Sequence, residues 1–206
     1  MHAVHAADSP NSCQSMAVNA VRRSPQAISP TREALVRLAD GRDLVIRPVR
    51  PEDAAPIAAS FHLLHEDEIR RRFLHILKAL SEEHLQQLTR PSAGAEFVVV
   101  AAEPLPAGEA LVAAVARLAR DTGDGRRAEF GILVSHFVTG MGLGKLLLQR
   151  LIEWSQQGKV RELWGDVMDD NTAMLELAAK LGFHREAVLG SPGLIRITLR
   201  LSAPAR

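Results

Sequence analysis

The stretch from Phe130 to Leu148, FGILVSHFVTGMGLGKLLL, constrains the fold more than any other part of the chain. An apolar run of β-type residues leads into Gly140, Gly142 and Gly144, and a second apolar run follows at helical spacing. Strand, glycine loop and helix start, in that order, begin a β-α-β unit and commit the chain to a helix packed on a sheet. The same order gathers free backbone N–H groups at the positive end of a helix dipole, which suits an anion. The spacing predicts a helix over 142–157 with Leu143, Leu146, Leu147, Leu151 and Trp154 on one stripe. A strand over 160–168 and a helix over 170–181, closed by Gly182, complete the unit.

Other elements surround this unit. Asp40-Gly41 marks a hairpin turn within 34–50, and Pro51-Glu52-Asp53 opens a helix that runs to about Phe61. HEDEIRRRFLHILKAL reads as a second helix, with Glu66–Arg70, Asp67–Arg71 and Glu68–Arg72 paired at i,i+4. Its charged run reads as a solvated face, with Arg70 to Arg72 lining an acceptor groove or docking an acidic protein surface as the alternative. A short helix follows the cap Ser81. Strands are expected over 96–102, 110–119 and 126–135, and two more over 183–189 and 194–201. The result is a mixed α/β domain over 33–202. Residues 1–32, with three prolines and five serines, read as a flexible tail, within which Met16 is an alternative start.

Charge and length narrow the partners. A formal net charge of +1 over 206 residues gives no basic excess for a nucleic-acid face. No apolar run reaches the ~18 residues of a membrane span, and His2, His5, Asp8 and Pro10 interrupt any signal-peptide core. The single cysteine, Cys13, has no internal partner, and a cytoplasmic location is expected. His62, His65, His75 and His84 show no carboxylate pattern, so no metal site is expected. Trp154 and Trp164 read as core.

Three phosphate loops can be tested against the glycines. A nucleotide P-loop requires Gly-Lys-Ser/Thr, and here Leu146 follows Gly144-Lys145. A dinucleotide loop requires G-x-G-x-x-G, and Gly140, Gly142 and Gly144 are one residue short, although Asp166 lies downstream. The run TGMGLG at 139–144 instead resembles the Q/R-x-x-G-x-G/A motif of the GNAT N-acetyltransferases, with Thr139 at the Gln/Arg position. NTAMLELAAKLGF (171–183) is similar to that family's next motif, with Asn171, Met174, Gly182 and Phe183 in register. RDLVIRPVRPED (42–53), IRRRF (69–73) and AEFGILVS (128–135) resemble the acetyltransferase domain of bacterial protein-lysine acetyltransferases.

The resemblance implies a central mixed sheet of six to seven strands flanked by about four helices, with acetyl-CoA as co-substrate. It implies acetyl transfer to a primary amine in a ternary complex, with a protein lysine as the favoured acceptor. A small amine or amino acid is the second reading, and a non-catalytic acyl-CoA-sensing module the third. The chain would act as a monomer or homodimer. In the family the strand before the loop splays from its neighbour, which would set Leu133 and Val134 against pantetheine, with the Val134 N–H polarising the thioester. Thr139, Gly140, Met141, Gly142, Leu143, Gly144 and Lys145 would hold the pyrophosphate, and Asn171 would touch the cofactor. Glu129 matches the general base; a glutamate paired with Arg126 or Arg127 is the plain alternative, and His136 is the second candidate base. Where many members carry a tyrosine that protonates the thiolate, this chain has Ala178, and it contains no tyrosine.

Overall fold

The structure, a computed structural model, describes residues 29–75 and 77–202. Residues 1–28, with Cys13, Met16 and most of the expected tail, lie outside the described residues. The segment 29–32 is docked. Arg150, buried on the long helix, donates to the carbonyls of Ser29, Pro30 and Arg32.

Eight strands form one sheet, one more than the upper expectation: β1 (Ala34–Arg37), β2 (Asp43–Pro48), β3 (Glu96–Ala102), β4 (Val112–Arg120), β5 (Arg127–Val134), β6 (Glu162–Met168), β7 (His184–Ala187) and β8 (Leu194–Arg200). Their order is β1-β2-β3-β4-β5-β6-β8-β7, antiparallel throughout except at β5–β6. Five α-helices flank it: α1 (Ala54–Phe61), α2 (Glu66–Phe73), α3 (Glu82–Thr89), α4 (Leu143–Gln157) and α5 (Thr172–Lys180). The alanine-rich run at 110–119 is strand, as expected, because each alternate residue packs into a layer on either side of the sheet.

Two apolar layers hold the sheet. The larger packs Leu143, Leu147, Leu148 and Leu151 of α4 against β3, β4, β5 and β6. The smaller packs Ile57 of α1 and Leu85 of α3 against Val98, Val100 and Val112 on the opposite face. Trp154 stacks on Phe97 at 5.5 Å, and Trp164 is half-buried with Arg196 4.4 Å over its ring. At the end of β2, Arg47 and Asp53 form a buried two-bond ion pair at 2.7 and 2.8 Å. The Arg50 N–H donates to the same carboxylate.

One helix departs from expectation. The predicted 16-residue helix stops after Phe73, where Leu74 takes φ +62° and its N–H closes on the Arg70 carbonyl. Its three expected i,i+4 ion pairs are absent. Glu68 reaches His136, while Arg70 reaches Asp170 at 2.5 Å and the sulfur of Met168 at 3.1 Å. Long-range partners held by the fold displace weak pairs along the helix, each worth only about 0.2–0.5 kcal/mol.

Candidate active site

The site begins where two strands part. β5 and β6 pair in register only from Arg127↔Glu162 to Glu129↔Trp164. Beyond that point the pairing stops, although β5 stays bonded to β4 as far as Val134. Gly165 stands at the fork, and a Cβ there would lie 3.0 Å from the Phe130 carbonyl oxygen. The far side of β5 from Ile132 onward therefore faces an empty strand position.

Which groups face it follows from the antiparallel ladder. The Ser135 N–H donates to Ala113 O on β4. Backbone groups alternate from edge to edge along a strand, so Ile132 and Val134 turn N–H and C=O to the open side. Leu133 turns its backbone to β4 and its side chain into a cleft on the α1–α3 face. Ile132 was not singled out by the sequence; only strand register reveals it.

The glycine loop lies at the end of this open side. A 3-10 turn at His136–Val138 leads into Gly140 and Gly142, at φ +82° and +85°, conformations that favour glycine. A Cβ on either would meet no heavy atom within 4 Å, so the loop mouth is open. The N–H groups of Thr139 and Met141 donate back to His136 O and Val138 O. Those of Gly140, Gly142, Leu143, Gly144 and Lys145 have no acceptor among the described residues, and they converge at the start of α4. The Thr139 hydroxyl donates to Ser135 O at 3.2 Å, which braces the loop from within. Lys145 is exposed at the same helix end. Asn171 caps α5, its side-chain oxygen accepting the Met174 N–H at 3.3 Å. Ala178 is fully buried, and Asp166 is committed to a two-bond pair with Arg196.

Glu129 sits on the last paired rung before the fork, exposed and without an ion pair or hydrogen bond among the described residues. The arginines expected to hold it are engaged elsewhere, Arg126 with Asp124 and Arg127 with Glu162. His136 lies at the far end of β5. Its backbone N–H donates to Glu68 at 2.6 Å and its Nδ1 to the second Glu68 oxygen at 2.9 Å. His65 and Phe137 flank its ring at 3.9 Å each. Glu68 also caps α2 by accepting the His65 N–H. His65, Glu68 and His136 hold ligand-type atoms within 4.8 Å of one another, yet both Glu68 oxygens already accept N–H groups.

α2 consequently braces both arms of the fork. Glu68 holds the end of β5, and Arg70 holds Asp170 beyond β6. Glu68→Ala leaves two backbone N–H groups unanswered. It should lower stability by about 1–3 kcal/mol, measured by chemical denaturation, and raise hydrogen exchange at the His136 amide.

A sheet parted beside an amide-lined helix start leaves room for an extended ligand along β5 and an anion at the loop. The family comparison agrees. A model of the acetyltransferase (GNAT) domain matches residues 43–184, and the chain belongs to the GNAT acetyltransferase family. GNAT acetyltransferases use acetyl-CoA as acetyl donor. The chain is 28% identical over 167 residues to Acetyltransferase PA5475 of Pseudomonas aeruginosa, covering 80% of this chain and 88% of that protein. Among solved structures, the GNAT domain of S. lividans PAT matches with a TM-score of 0.72 at 22% identity, covering 82% of this chain and 97% of that one. The yncA protein of Salmonella typhimurium, solved with its cofactor acetyl-CoA, matches at 0.62 and 21% identity over 79% and 96% of the two chains. No helix among the described residues is long and apolar enough to cross a membrane.

Proposed function

We propose that this protein is an acetyl-CoA-dependent N-acetyltransferase that acts on a primary amine by direct transfer. The observation that carries the reading is the open edge of β5, continuous with the five unanswered amides before and within the first turn of α4. The pyrophosphate would sit on those amides, where charge and dipole favour it. Pantetheine would run back along β5 and pair with Val134 and Ile132.

Position along the strand orders the remaining groups. Val134 lies five residues from Glu129, roughly 17 Å, whereas Ile132 lies three away, roughly 10 Å. The Ile132 N–H is therefore the better donor to the thioester carbonyl, with Val134 holding the pantetheine arm. The amine nitrogen attacks the carbonyl carbon; the N–C bond forms, the C–S bond breaks, and CoA leaves as thiolate. Glu129 takes the amine proton through water, and solvent protonates the thiolate, whose pKa near 8.5 makes an enzymic acid dispensable.

Two acceptor classes fit this chemistry. The motif resemblance supports a protein lysine. The cleft beside Leu133, about 220 Å³ and lined largely by apolar side chains, supports a small amine, and the second is preferred. The test is release of CoA from acetyl-CoA in the presence of amines. Glu129→Gln should lower kcat by roughly 10²–10⁴-fold with little change in acetyl-CoA affinity. Acetyl-CoA raising the Tm while no amine or protein releases CoA would leave a sensing module instead.

A further inference from the structure

The cleft beside β5 holds a cation that makes no ion pair among the described residues. Arg72 projects from α2 and lays its guanidinium across Gly131, where a Cβ would stand 2.6 Å from Cζ. Glycine at 131 leaves the space the guanidinium fills. Arg72 is half-buried, lines the cleft, and has no hydrogen bond or ion pair among the described residues. Its neighbour Arg117, also in the lining, is paired with Glu96. No aspartate or glutamate lines the cleft.

Two further polar atoms are unanswered. The hydroxyls of Ser60 and Ser135 are buried, line the same cleft and have no hydrogen-bond partner among the described residues. Buried polar groups are nearly always partnered, so the two hydroxyls, with the half-buried Arg72 guanidinium in the same lining, mark where a ligand's polar atoms belong. Burial and the Arg117 charge pull Arg72 below the ordinary arginine range, against the opposing pull of Glu129. An anion entering the cleft would relieve both effects.

From this we infer that the acceptor amine is a small molecule carrying a carboxylate, which Arg72 grips as a fork while an apolar body fills the cleft. The inference rests on the acetyltransfer reading above and specifies its substrate class. A cavity of about 220 Å³ falls below the ~300–1,000 Å³ of drug-sized sites, which suits an amino-acid-sized molecule. Arg72 stands over Gly131, the residue next to Ile132, so amine and carboxylate need only the spacing found within one small molecule. A lysine side chain presented by a protein brings a cation and no carboxylate into this electropositive cleft.

The test uses matched pairs, such as leucine against leucinamide and methionine against methioninamide, with CoA release as the readout. The acid of at least one pair should exceed its amide in kcat/KM by ten- to hundredfold, the range of a charge-assisted hydrogen bond. Arg72→Gln should collapse that ratio towards one through the KM of the acid, and Arg72→Lys should restore part of it. Gly131→Ala, which pushes the guanidinium aside without removing charge, should lower the ratio while acetyl-CoA still raises the Tm. Amides reacting as fast as acids, or Arg72→Gln slowing both equally, would overturn the carboxylate proposal and leave acetyl transfer standing. CoA release with neither small amines nor proteins would overturn both.

Discussion

Gly142→Glu is expected to abolish acetyl-CoA binding without unfolding the protein. Gly142 caps α4 at φ +85°, so any side chain there carries about 1–2 kcal/mol of backbone strain. Space is not the obstacle, because a Cβ would meet nothing within 4 Å. A carboxylate at a helix N-terminus also recovers part of the strain through the dipole. What it does is place a fixed negative charge at the mouth of the amide cluster. A ligand at a hundred times its Kd stabilises a protein by about 2.7 kcal/mol, and the variant should show no such shift in Tm. Gly142→Ala isolates the strain and should keep most of the shift. If Gly142→Glu binds acetyl-CoA as the parent does, the pyrophosphate lies elsewhere and the functional reading falls with it.

Asp53→Asn should cost about 3–5 kcal/mol of folding stability, the penalty for stranding one member of a buried ion pair. The Asp53 side chain is 0% exposed and that of Arg47 4%, so water cannot replace the lost charge. Burial raises the Asp53 carboxyl pKa, but the Arg47 guanidinium and the Arg50 N–H outweigh it and hold the group below its ordinary value. Arg47 is shifted upward by the same bond. A depressed carboxylate stabilises the fold above its unfolded pKa, and that stability is lost as pH falls through the folded value. The gap between parent and variant, measured by urea denaturation, should thus be constant near neutrality and shrink only below about pH 4. A double replacement by apolar residues, Arg47→Met with Asp53→Leu, should recover much of the loss. A gap that vanishes at pH 6 would refute this assignment.

The parts legible in the sequence are those set by local chemistry. Asp40-Gly41 turns the hairpin, Ser81 caps α3 through the His84 N–H, and Gly182 follows α5, each where the residues place it. The stripe from Leu143 to Trp154 packs into the core as its spacing requires. Where sequence reading failed, the partner lies far along the chain. Glu68 and His136 are 68 residues apart, and Arg70 and Asp170 are 100, so a rule about i,i+4 neighbours has no access to either. Ile132 was missed for a related reason, since which backbone amides face the fork depends on register with β4. Arg72 looked like one charge among six in EDEIRRR, and Gly131 beneath it distinguishes it from a solvated face.

The fork between β5 and β6 has a consequence for the protein's behaviour at high concentration. An unpaired strand edge ordinarily invites strands from other molecules and so promotes aggregation. Here the unpaired edge lies inside the sheet, flanked by β6 and overlain by α2, which is tied to both arms. A polypeptide strand pairing there would bring side chains against α2 and find only the groups of Ile132 and Val134 to bond. A thin chain with amides at intervals and no branches over most of its length meets neither obstacle. The sheet is thereby sticky towards one shape of ligand and closed to its own kind.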